Sequence, residues 1–431
     1  MKVSHAGKIL GEVRLPGDKS ISHRAAMLAS LAEGISRIEN FGTSADCAAT
    51  VNCLRSLGVK IGVDRSTLTV KGVGKNGLVP AAGPLDCENS GTTMRLMAGI
   101  LAGHGFRSTL TGDGSLRGRP MKRVITPLTE MGAEIESEDG RAPLHITGRT
   151  RLRAVEHVPE AASAQLKSCV LLAGLNADGI TSILESVQTR DHTERMLRWL
   201  GAEIATIKQG EGTRISVSGD SILSARDFSV PGDISSAAFF IVAAAFIENS
   251  RLKIRDVGMN SSRAAIVDVL SGLGADITVE NKRETCNEPV ADLAVRGRSP
   301  IGSAGGYLIS GGIVPNLIDE IPVLAVAGTQ LPGGIEVRDA GELRIKESDR
   351  ISTVVQNLRR MGADVVEFDD GLKVGRSRLR GAEIDTFGDH RIAMAFAVAG
   401  LFAEGETLIH GAECAAVSFP GFFDTLASVI Y

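Results

Sequence analysis

An eight-residue pattern of apolar and polar positions recurs along the chain and predicts much of its secondary structure. It reads LRSLGVKI at 54–61, LTEMGAEI at 128–135, LRWLGAEI at 197–204, LSGLGADI at 270–277 and LRRMGADV at 358–365. Each copy has the form of the end of an amphipathic helix, a glycine, and the start of a strand. The glycine supplies the left-handed conformation that often ends a helix.

The spacing of these copies, roughly 70 to 90 residues, indicates about six repeated units. Between them, short Val/Ile/Leu runs alternate with predicted helices such as 22–32, 92–102 and 349–361. Helix–glycine–strand sequences are also common in unrelated α/β proteins, but five near-copies favour a true repeat. The pattern therefore predicts an α/β fold whose repeats are grouped three and three.

Two connector-like segments predict where the chain passes between two domains. Residues 15–18 (LPGD) and 228–233 (FSVPGD) combine proline, glycine and aspartate, a composition typical of turns and linkers. We expect hinges near 16–19 and 229–233. One domain then contains 1–19 together with 230–431, and the other contains 20–229.

Composition excludes several classes of protein. The chain has 431 residues, a formal net charge of −4 and 43% hydrophobic residues, so it is globular and not a globally basic nucleic-acid binder. The longest apolar run, 237–247, is too short to cross a bilayer. The six cysteines form no C-x-x-C pair. We therefore expect a cytoplasmic monomer that binds small molecules, with no bound metal, nucleic acid or membrane.

Basic residues cluster in three glycine-containing turns of the first half, 16–24, 89–95 and 112–120. In the first of them, Ser20 or Ser22 is the expected N-cap of a helix that carries Arg24. Taken singly, each turn is adequately explained as a capped helix with a solvated cation. Three together favour a small substrate with several anionic groups, held by arginines and by backbone N–H groups at helix starts.

Acids and cations are also concentrated in three segments of the second half, at 317–322, 344–350 and 388–391. Here Lys346 and Arg350 could instead form an exposed face of one helix, and Asp389 could be a simple N-cap. An acid or base in these segments would depend on its local surroundings for its protonation state.

The motifs jointly resemble one family over essentially the whole chain. LPGDKSISHRA, NSGTTMRL, GDGSLRGRPM, SAQLKS, RDHTERML, IKESDRI and GDHRIAMAF are similar to motifs of the 5-enolpyruvylshikimate-3-phosphate synthase (EPSP synthase) family, in a form called class II. The resemblance implies the enolpyruvyl transferase fold: two similar domains, each of three βαβαββ repeats, forming an inside-out α/β barrel. It also implies transfer of the enolpyruvyl group of phosphoenolpyruvate to the 5-hydroxyl of shikimate 3-phosphate, by addition and elimination without a cofactor.

The resemblance further implies roles for individual residues. Asp319 would be the base and Glu347 the acid, with Lys19 touching both substrates. The residues implied for shikimate 3-phosphate are Lys19, Ser20, Arg24, Ser163, Ala164, Gln165, Arg190, Asp319 and Lys346. Those implied for phosphoenolpyruvate are Lys19, Gly91, Arg119, Gln165, Arg350 and Arg391.

Two positions depart from the family pattern. Val417 stands where some members have a lysine, and Glu342 stands where some have an asparagine. The response to glyphosate stays open, since class II motifs favour tolerance and Gly91 favours sensitivity. Two alternatives are a UDP-N-acetylglucosamine enolpyruvyl transferase and a non-catalytic protein that binds a phosphorylated metabolite. The nucleotide-sugar transferase typically has a cysteine on the loop over its site, and this chain has no cysteine between Cys87 and Cys169. A binding protein would need no pair of acids, whereas this chain has both Asp319 and Glu347.

Overall fold

The computed structural model describes residues 1–298, 301 and 305–431, which fall into two compact units. Unit 1 consists of Met1–Pro16, Pro231–Glu284 and Pro289–Tyr431, and unit 2 of Gly17–Val230 and Thr285–Glu288. Compared with the expected domains, residues 17–19, 230 and 285–288 are grouped with unit 2. The reason is local: Lys19 begins a helix of that unit, and Glu288 Oε1 lies 2.7 Å from His192 Nδ1.

The helices, in chain order, are α1 (Lys19–Leu31), α2 (Ala45–Ser56), α3 (Gly91–Ala102), α4 (Gly114–Gly118), α5 (Lys122–Glu130), α6 (Ala164–Gly174), α7 (His192–Trp199), α8 (Ile234–Phe246), α9 (Ala265–Gly272), α10 (Val314–Leu317), α11 (Ile321–Gly328), α12 (Arg350–Arg360), α13 (His390–Phe402) and α14 (Phe422–Ala427). Short 3₁₀ helices lie at Gly311–Ile313, Gly341–Ile345 and Ala412–Val417.

The strands are β1 (Lys2–Ser4), β2 (Leu10–Arg14), β3 (Glu33–Glu39), β4 (Lys60–Asp64), β5 (Thr67–Val73), β6 (Leu85–Asp86), β7 (Arg107–Thr111), β8 (Glu134–Glu138), β9 (Arg141–Thr147), β10 (Leu152–Arg153), β11 (Glu156–His157), β12 (Ala177–Asp178), β13 (Ile180–Glu185), β14 (Ile204–Gln209), β15 (Gly212–Ser218), β16 (Phe228–Ser229), β17 (Arg251–Gly258), β18 (Asp276–Thr285), β19 (Glu288–Arg296), β20 (Tyr307–Ile309), β21 (Ile335–Val337), β22 (Val365–Phe368), β23 (Gly371–Val374), β24 (Glu383–Asp385) and β25 (Glu406–His410).

Unit 2 repeats one sheet topology three times. Its four-stranded sheets have the orders β16-β3-β5-β4, β6-β7-β9-β8 and β11-β13-β15-β14. In each sheet the first pair is parallel and the next two pairs are antiparallel. The same arrangement of one parallel and two antiparallel pairs is what a repeated βαβαββ unit produces.

Unit 1 contains the matching set of sheets. These have the orders β18-β19-β17-β2, β20-β21-β23-β22 and β1-β25-β24. Each includes a parallel pair next to an antiparallel one. The predicted α/β fold with repeats grouped three and three is therefore confirmed.

Each unit buries its own apolar core around helices. In unit 2, residues of α1, α3 and α6 are almost all inaccessible, and in unit 1 the same holds for α8, α11 and α13. The small side chains of these helices let them pack closely, which explains the low aromatic content. The ends of the core helices carry most of the predicted site residues.

The glycines of the repeated pattern have the conformation predicted for them. Gly58, Gly132, Gly201, Gly274 and Gly362 all have positive φ, between 80° and 103°. Each follows the end of a helix (α2, α5, α7, α9 and α12). A side chain at these positions would strain the backbone.

In the described residues, no single helix is long and apolar enough to cross a membrane. Two consecutive helical segments, Gly311–Leu317 and Ile321–Gly328, are together long and apolar enough by length and composition alone, but they are bent by 107° relative to each other.

Candidate active site

The first predicted anion-binding turn leads into α1. Asp18 caps this helix, because its side chain accepts a hydrogen bond from the backbone N–H of Ile21 at 2.9 Å. The expectation that Ser20 or Ser22 is the cap is wrong, since α1 already begins at Lys19 and both serines lie inside it. An acidic cap also interacts favourably with the positive end of the helix dipole.

Lys19, the first residue of α1, is paired with an acid from the neighbouring helix. Its Nζ lies 2.7 Å from Oδ2 of Asp46, in the first turn of α2. Both side chains are mostly buried, so this contact is stronger than an ordinary surface salt bridge. An anionic substrate that binds Lys19 must share it with Asp46.

Arg24 is held by hydrogen bonds from all three of its guanidinium nitrogens. Nε donates to Thr193 Oγ1 at 2.7 Å, Nη2 to Ser168 Oγ at 2.7 Å, and Nη1 to the carbonyl oxygen of Ser20 at 2.8 Å. Burial, helped by the nearby charge of Arg190, lowers the pKa of Arg24 to about 10. The guanidinium nevertheless stays charged at neutral pH.

The second predicted turn places Gly91 at the start of α3. Next to it, Arg95 Nη1 donates to Gln165 Oε1 at 2.6 Å, and Gln165 Nε2 donates to Thr92 Oγ1 at 3.0 Å. A Cβ atom added at Gly91 would lie 2.7 Å from Arg95 Nη1. The glycine is thus needed for the close approach of this guanidinium.

Arg119, from the third turn, lies on the same side of Gly91. Its Nη2 donates to Asn89 Oδ1 at 2.6 Å, and its Nη1 lies 3.4 Å from the Cβ position of Gly91. The structure therefore brings Gly91, Arg119 and Gln165 together around Arg95. Two guanidinium groups beside a helix N-terminus form a local environment suited to an anion.

Helix α6 supplies two further predicted residues. Ser163 caps it, with its Oγ accepting from the backbone N–H of Leu166 at 3.3 Å. The carbonyl oxygen of Ala164 accepts from Ser168 Oγ at 2.7 Å, and Ser168 also contacts Arg24. Arg190 lies half-buried in the loop between β13 and α7. Ala164 is thus linked to Arg24 through Ser168.

In unit 1, Arg350 is the centre of a buried ion network. Its Nε donates to Asp389 Oδ2 at 2.8 Å, and Nη2 lies 2.6 Å from Glu347 Oε2. Nη1 lies 3.5 Å from Asp319 Oδ1. Burial lowers the pKa of Arg350, but attraction to the three carboxylates outweighs this and leaves the pKa above its usual range. Arg350 is therefore a permanent cation.

Asp389 holds this network in place from the start of α13. It is 0% exposed and caps the helix, with Oδ1 accepting from the backbone N–H of Arg391 at 2.9 Å. Burial raises the pKa of Asp389, while the stronger attraction of Arg350 lowers it below the usual value. The simple N-cap considered from sequence is therefore confirmed, but it is also the main counter-ion of Arg350.

Arg391 contacts the segment that contains the predicted base. Its Nη1 donates to the carbonyl oxygen of Asp319 at 2.9 Å, and its Nε lies 3.7 Å from Asp319 Oδ1. The next residue, Glu320, is buried, and Ser235 Oγ donates a hydrogen bond to it. Burial raises the pKa of Glu320.

Lys346 lies outside α12, at the end of the 3₁₀ helix Gly341–Ile345. Its Nζ lies 3.2 Å from Glu342 Oε1. The alternative of one exposed helical face shared with Arg350 is wrong, because Arg350 only begins α12 and is 2% exposed.

Comparisons with known proteins identify the family. Residues 3–426 match the family model described as EPSP synthase (3-phosphoshikimate 1-carboxyvinyltransferase). The chain belongs to the EPSP synthase family. A 3-phosphoshikimate 1-carboxyvinyltransferase of Koribacter versatilis is 51% identical to it over 432 residues, covering 100% of this chain and 99% of the relative. That of Salinibacter ruber is 50% identical, covering 99% and 98%.

A solved structure agrees with this assignment. EPSP synthase from Acinetobacter baumannii is 40% identical, with a TM-score of 0.88, covering 99% of this chain and 97% of that one. The chain is thus a transferase of the shikimate pathway that moves the enolpyruvyl group of phosphoenolpyruvate to shikimate 3-phosphate. The nucleotide-sugar and non-catalytic alternatives are not favoured.

Several residues of the site were not nominated from sequence. Asp46, Arg95, Lys167 and Asp389 each contact a predicted residue or share its helix. Arg95, Lys167 and Asp389 lie in motifs that also contain predicted residues, whereas Asp46 lies in none. The sequence does not show their partners, which lie 18 to 70 residues away along the chain.

Proposed function

We propose that unit 1 provides the acid–base pair of the reaction, with Asp319 as the base and Glu347 as the acid. One observation supports this most directly: both carboxylates lie within ion-pair distance of the same guanidinium, at 3.5 Å and 2.6 Å from Arg350. An arginine that binds the carboxylate of phosphoenolpyruvate would hold that substrate between an acid and a base.

In this scheme Asp319 takes the proton of the 5-hydroxyl of shikimate 3-phosphate, and the oxygen of that hydroxyl attacks C2 of phosphoenolpyruvate. Glu347 gives a proton to C3, which produces the tetrahedral intermediate. Loss of a proton from C3 and departure of phosphate from C2 then form the enolpyruvyl ether. Arg350 and Arg391 bind the donor, and their positive charge stabilises the anion throughout.

Glu347 must be protonated to act as an acid, yet it pairs with Arg350 in the substrate-free structure. The donor resolves this conflict. When the donor's carboxylate binds the guanidinium, the pair between Glu347 and Arg350 is weakened, and the added negative charge of the donor favours the protonated form of Glu347. Binding of the donor thus prepares the acid for its step.

Unit 2 provides the remaining substrate contacts in this proposal. Ser20, Arg24, Arg190 and the α6 residues Ser163 and Ala164 bind shikimate 3-phosphate. Gly91 and Arg119 bind phosphoenolpyruvate. Gln165 and Lys19 contact both substrates, and Lys346 of unit 1 contacts the acceptor hydroxyls. The geometry that supports this division is the hydrogen bond from Arg24 to the carbonyl oxygen of Ser20, and the position of Arg119 Nη1, 3.4 Å from where a Cβ of Gly91 would lie.

The test compares Asp319→Asn and Glu347→Gln with a matched control, Glu280→Gln. Glu280 pairs with Lys253 in the same unit and has no proposed role. We expect phosphate release to fall by at least ~10²-fold in both site variants, with unchanged far-UV circular dichroism, and to be unaffected in the control. Turnover within about threefold of the parent enzyme in a folded site variant would refute its assigned role.

We also propose that the enzyme works as a monomer in the cytoplasm. Each unit has a continuous apolar core of its own, so neither needs a second copy to bury it. Four of the six cysteines are buried and all six are unpaired, as expected in a reducing compartment. Light scattering coupled to gel filtration tests the first point, because a mass of twice 45.2 kDa would contradict it.

A further inference from the structure

Unit 2 buries three charged side chains that none of the roles above uses. Lys167 Nζ lies 2.7 Å from Glu194 Oε1 and 2.9 Å from Glu185 Oε2, and none of the three is more than 3% exposed. Taking such groups out of water is costly, and apolar residues of the same volume often stabilise a protein as well or better. Stability alone therefore explains this cluster poorly.

The cluster holds the residue that precedes Arg190. Lys167 Nζ donates to the carbonyl oxygen of Thr189 at 3.4 Å. The Glu185 carboxylate accepts from the backbone N–H of Thr189 at 3.5 Å and also from its hydroxyl. The backbone N–H, the carbonyl and the hydroxyl of Thr189 are thus all bound by the cluster, which fixes the chain at the base of Arg190.

The same cluster joins the two helices that hold Arg24. Lys167 lies on α6 next to Ser168, and Glu194 lies on α7 next to Thr193. The ion pair between the helices keeps Ser168 Oγ and Thr193 Oγ1 2.7 Å apart. These two hydroxyls accept the hydrogen bonds of Arg24 Nε and Nη2.

Arg24 and Arg190 are both cations and repel each other, so each needs contacts that hold it in place. Arg190 disfavours the charged form of Arg24, so without fixed partners the two guanidinium groups would move apart. The carboxyl groups of Glu185 and Glu194 flank the Lys167 ammonium, and this contact fixes the segment that carries Arg190. The arginines are therefore held together before any phosphate arrives.

We infer that Lys167 is a positioning residue for the acceptor: with Glu185 and Glu194 it holds Arg24 and Arg190 in the arrangement that binds the phosphate of shikimate 3-phosphate. The inference rests on the proposed role of these two arginines. It assigns the cluster a part in binding, although Lys167 itself contacts no substrate.

A mild test removes one hydroxyl of the link. Thr189→Val deletes the bond from Thr189 to Glu185, and the matched control is Thr181→Val. Thr181 is equally buried, and its hydroxyl has no hydrogen-bond partner among the described residues. We expect KM for shikimate 3-phosphate to rise about 10-fold in Thr189→Val, with KM for phosphoenolpyruvate and kcat within about twofold of the control. Equal KM values in the two variants would contradict the inference.

A second test separates positioning from stability. Lys167→Met leaves two carboxylates buried without a cation and is expected to unfold more easily. The triple variant Lys167→Met, Glu185→Gln, Glu194→Gln removes every charge of the cluster and restores Tm. We expect its KM for shikimate 3-phosphate to stay at least about 10-fold above that of the parent enzyme. A parental KM with restored Tm would show a purely structural role and overturn the inference.

Arg190→Gln distinguishes failure of the inference from failure of the site assignment. A raised KM for shikimate 3-phosphate in Arg190→Gln, with none in the triple variant, refutes only the role of Lys167. An unchanged KM in Arg190→Gln refutes the assignment of Arg190 and, with it, this inference. Phosphate release with each substrate varied in turn supplies all of these constants.

Discussion

The contact between Gly91 and Arg95 leads to a sharp prediction for the substitution Gly91→Ala. The new Cβ would lie 2.7 Å from Arg95 Nη1 and 3.4 Å from Arg119 Nη1. A carbon atom in van der Waals contact needs roughly 3.5 Å, so the Arg95 guanidinium must move. Because Nη1 is the same atom that donates to Gln165 Oε1 at 2.6 Å, the movement weakens or breaks that bond.

The size of the effect follows from the type of bond that is lost. A hydrogen bond to a charged group contributes about 1.5–3 kcal/mol, and each 1.4 kcal/mol corresponds to a factor of about ten in binding. Complete loss of the bond would raise KM for phosphoenolpyruvate by between ~10-fold and ~150-fold. Nη1 is the end of a flexible side chain that can shift and keep part of the bond, so we expect a rise toward the lower end of this range. Gln165 keeps its bond to Thr92, so KM for shikimate 3-phosphate should change by no more than about threefold.

Steady-state phosphate release with each substrate varied in turn measures both constants. The matched control is Gly83→Ala, in the same unit, because a Cβ at Gly83 has no atom within 4 Å. The double variant Gly91→Ala, Arg95→Ala tests the cause directly: it should show no larger defect than Arg95→Ala alone. A KM for phosphoenolpyruvate in Gly91→Ala equal to that of the control would refute the reasoning.

Three further predictions concern protonation and buried charge. Burial lowers the pKa of His23 to about 3, so below its unfolded pKa of about 6.5 only the unfolded chain gains a proton. The free energy of unfolding should therefore fall by about 2 kcal/mol between pH 6.5 and pH 5. His23→Gln should remove this part of the pH dependence measured by urea titration, and an unchanged pH dependence would contradict the prediction. Asp389→Asn leaves Arg350 without its main counter-ion and should lower the free energy of unfolding by about 3–5 kcal/mol; a loss below ~1 kcal/mol would show compensation by its other partners. Adding phosphoenolpyruvate to Asp319→Asn saturated with shikimate 3-phosphate should take up more protons than the same addition to Asp319→Asn, Glu347→Gln, because only the former can protonate Glu347. Calorimetry in two buffers of different ionisation enthalpy measures the difference, and equal exchange in the two variants would exclude that step.

The repeats and their helix ends could be predicted from sequence because the signals are local. A glycine with positive φ, such as Gly132 or Gly362, is required within a few residues of the helix that it ends. Sheet order was not predictable from residues alone, since β16 pairs with β3 although 190 residues separate Phe228 from Ile38. Such long-range pairing came only from resemblance to the family.

The cations of the site were easier to predict than the acids that hold them. Lys19 and Arg350 lie in conspicuous charged motifs, whereas Asp46 and Asp389 lie 27 and 39 residues away from them. Nothing in the local sequence marks Asp46, and Asp389 lies in the motif at 388–396 but is distinguishable there only as a helix cap. The identity of a counter-ion depends on which elements the fold brings together, and that is three-dimensional information.

These counter-ions divide into two groups by exposure, and the division bears on function. Asp389 is fully buried beside Arg350 and keeps its place whatever binds, whereas Glu347 is 23% exposed. Asp319 and Asp46 are also partly accessible, at 16% and 11%. An incoming anion therefore displaces Glu347 more readily than the fully buried Asp389.

Displacement makes the affinity for substrate a difference between two interactions with the same cation. In the free enzyme Arg350 is paired with Asp389, Glu347 and Asp319, so the site does not carry an uncompensated charge that any anion would neutralise. A substrate gains only the free energy by which its interaction with Arg350 exceeds that of the pair between Arg350 and Glu347. This difference limits the affinity for the substrate in its ground state. In the proposed mechanism the displaced carboxylate of Glu347 then lies beside an anionic donor, which favours its protonated form. The exchange that limits binding would thus also prepare the proposed acid for the addition step.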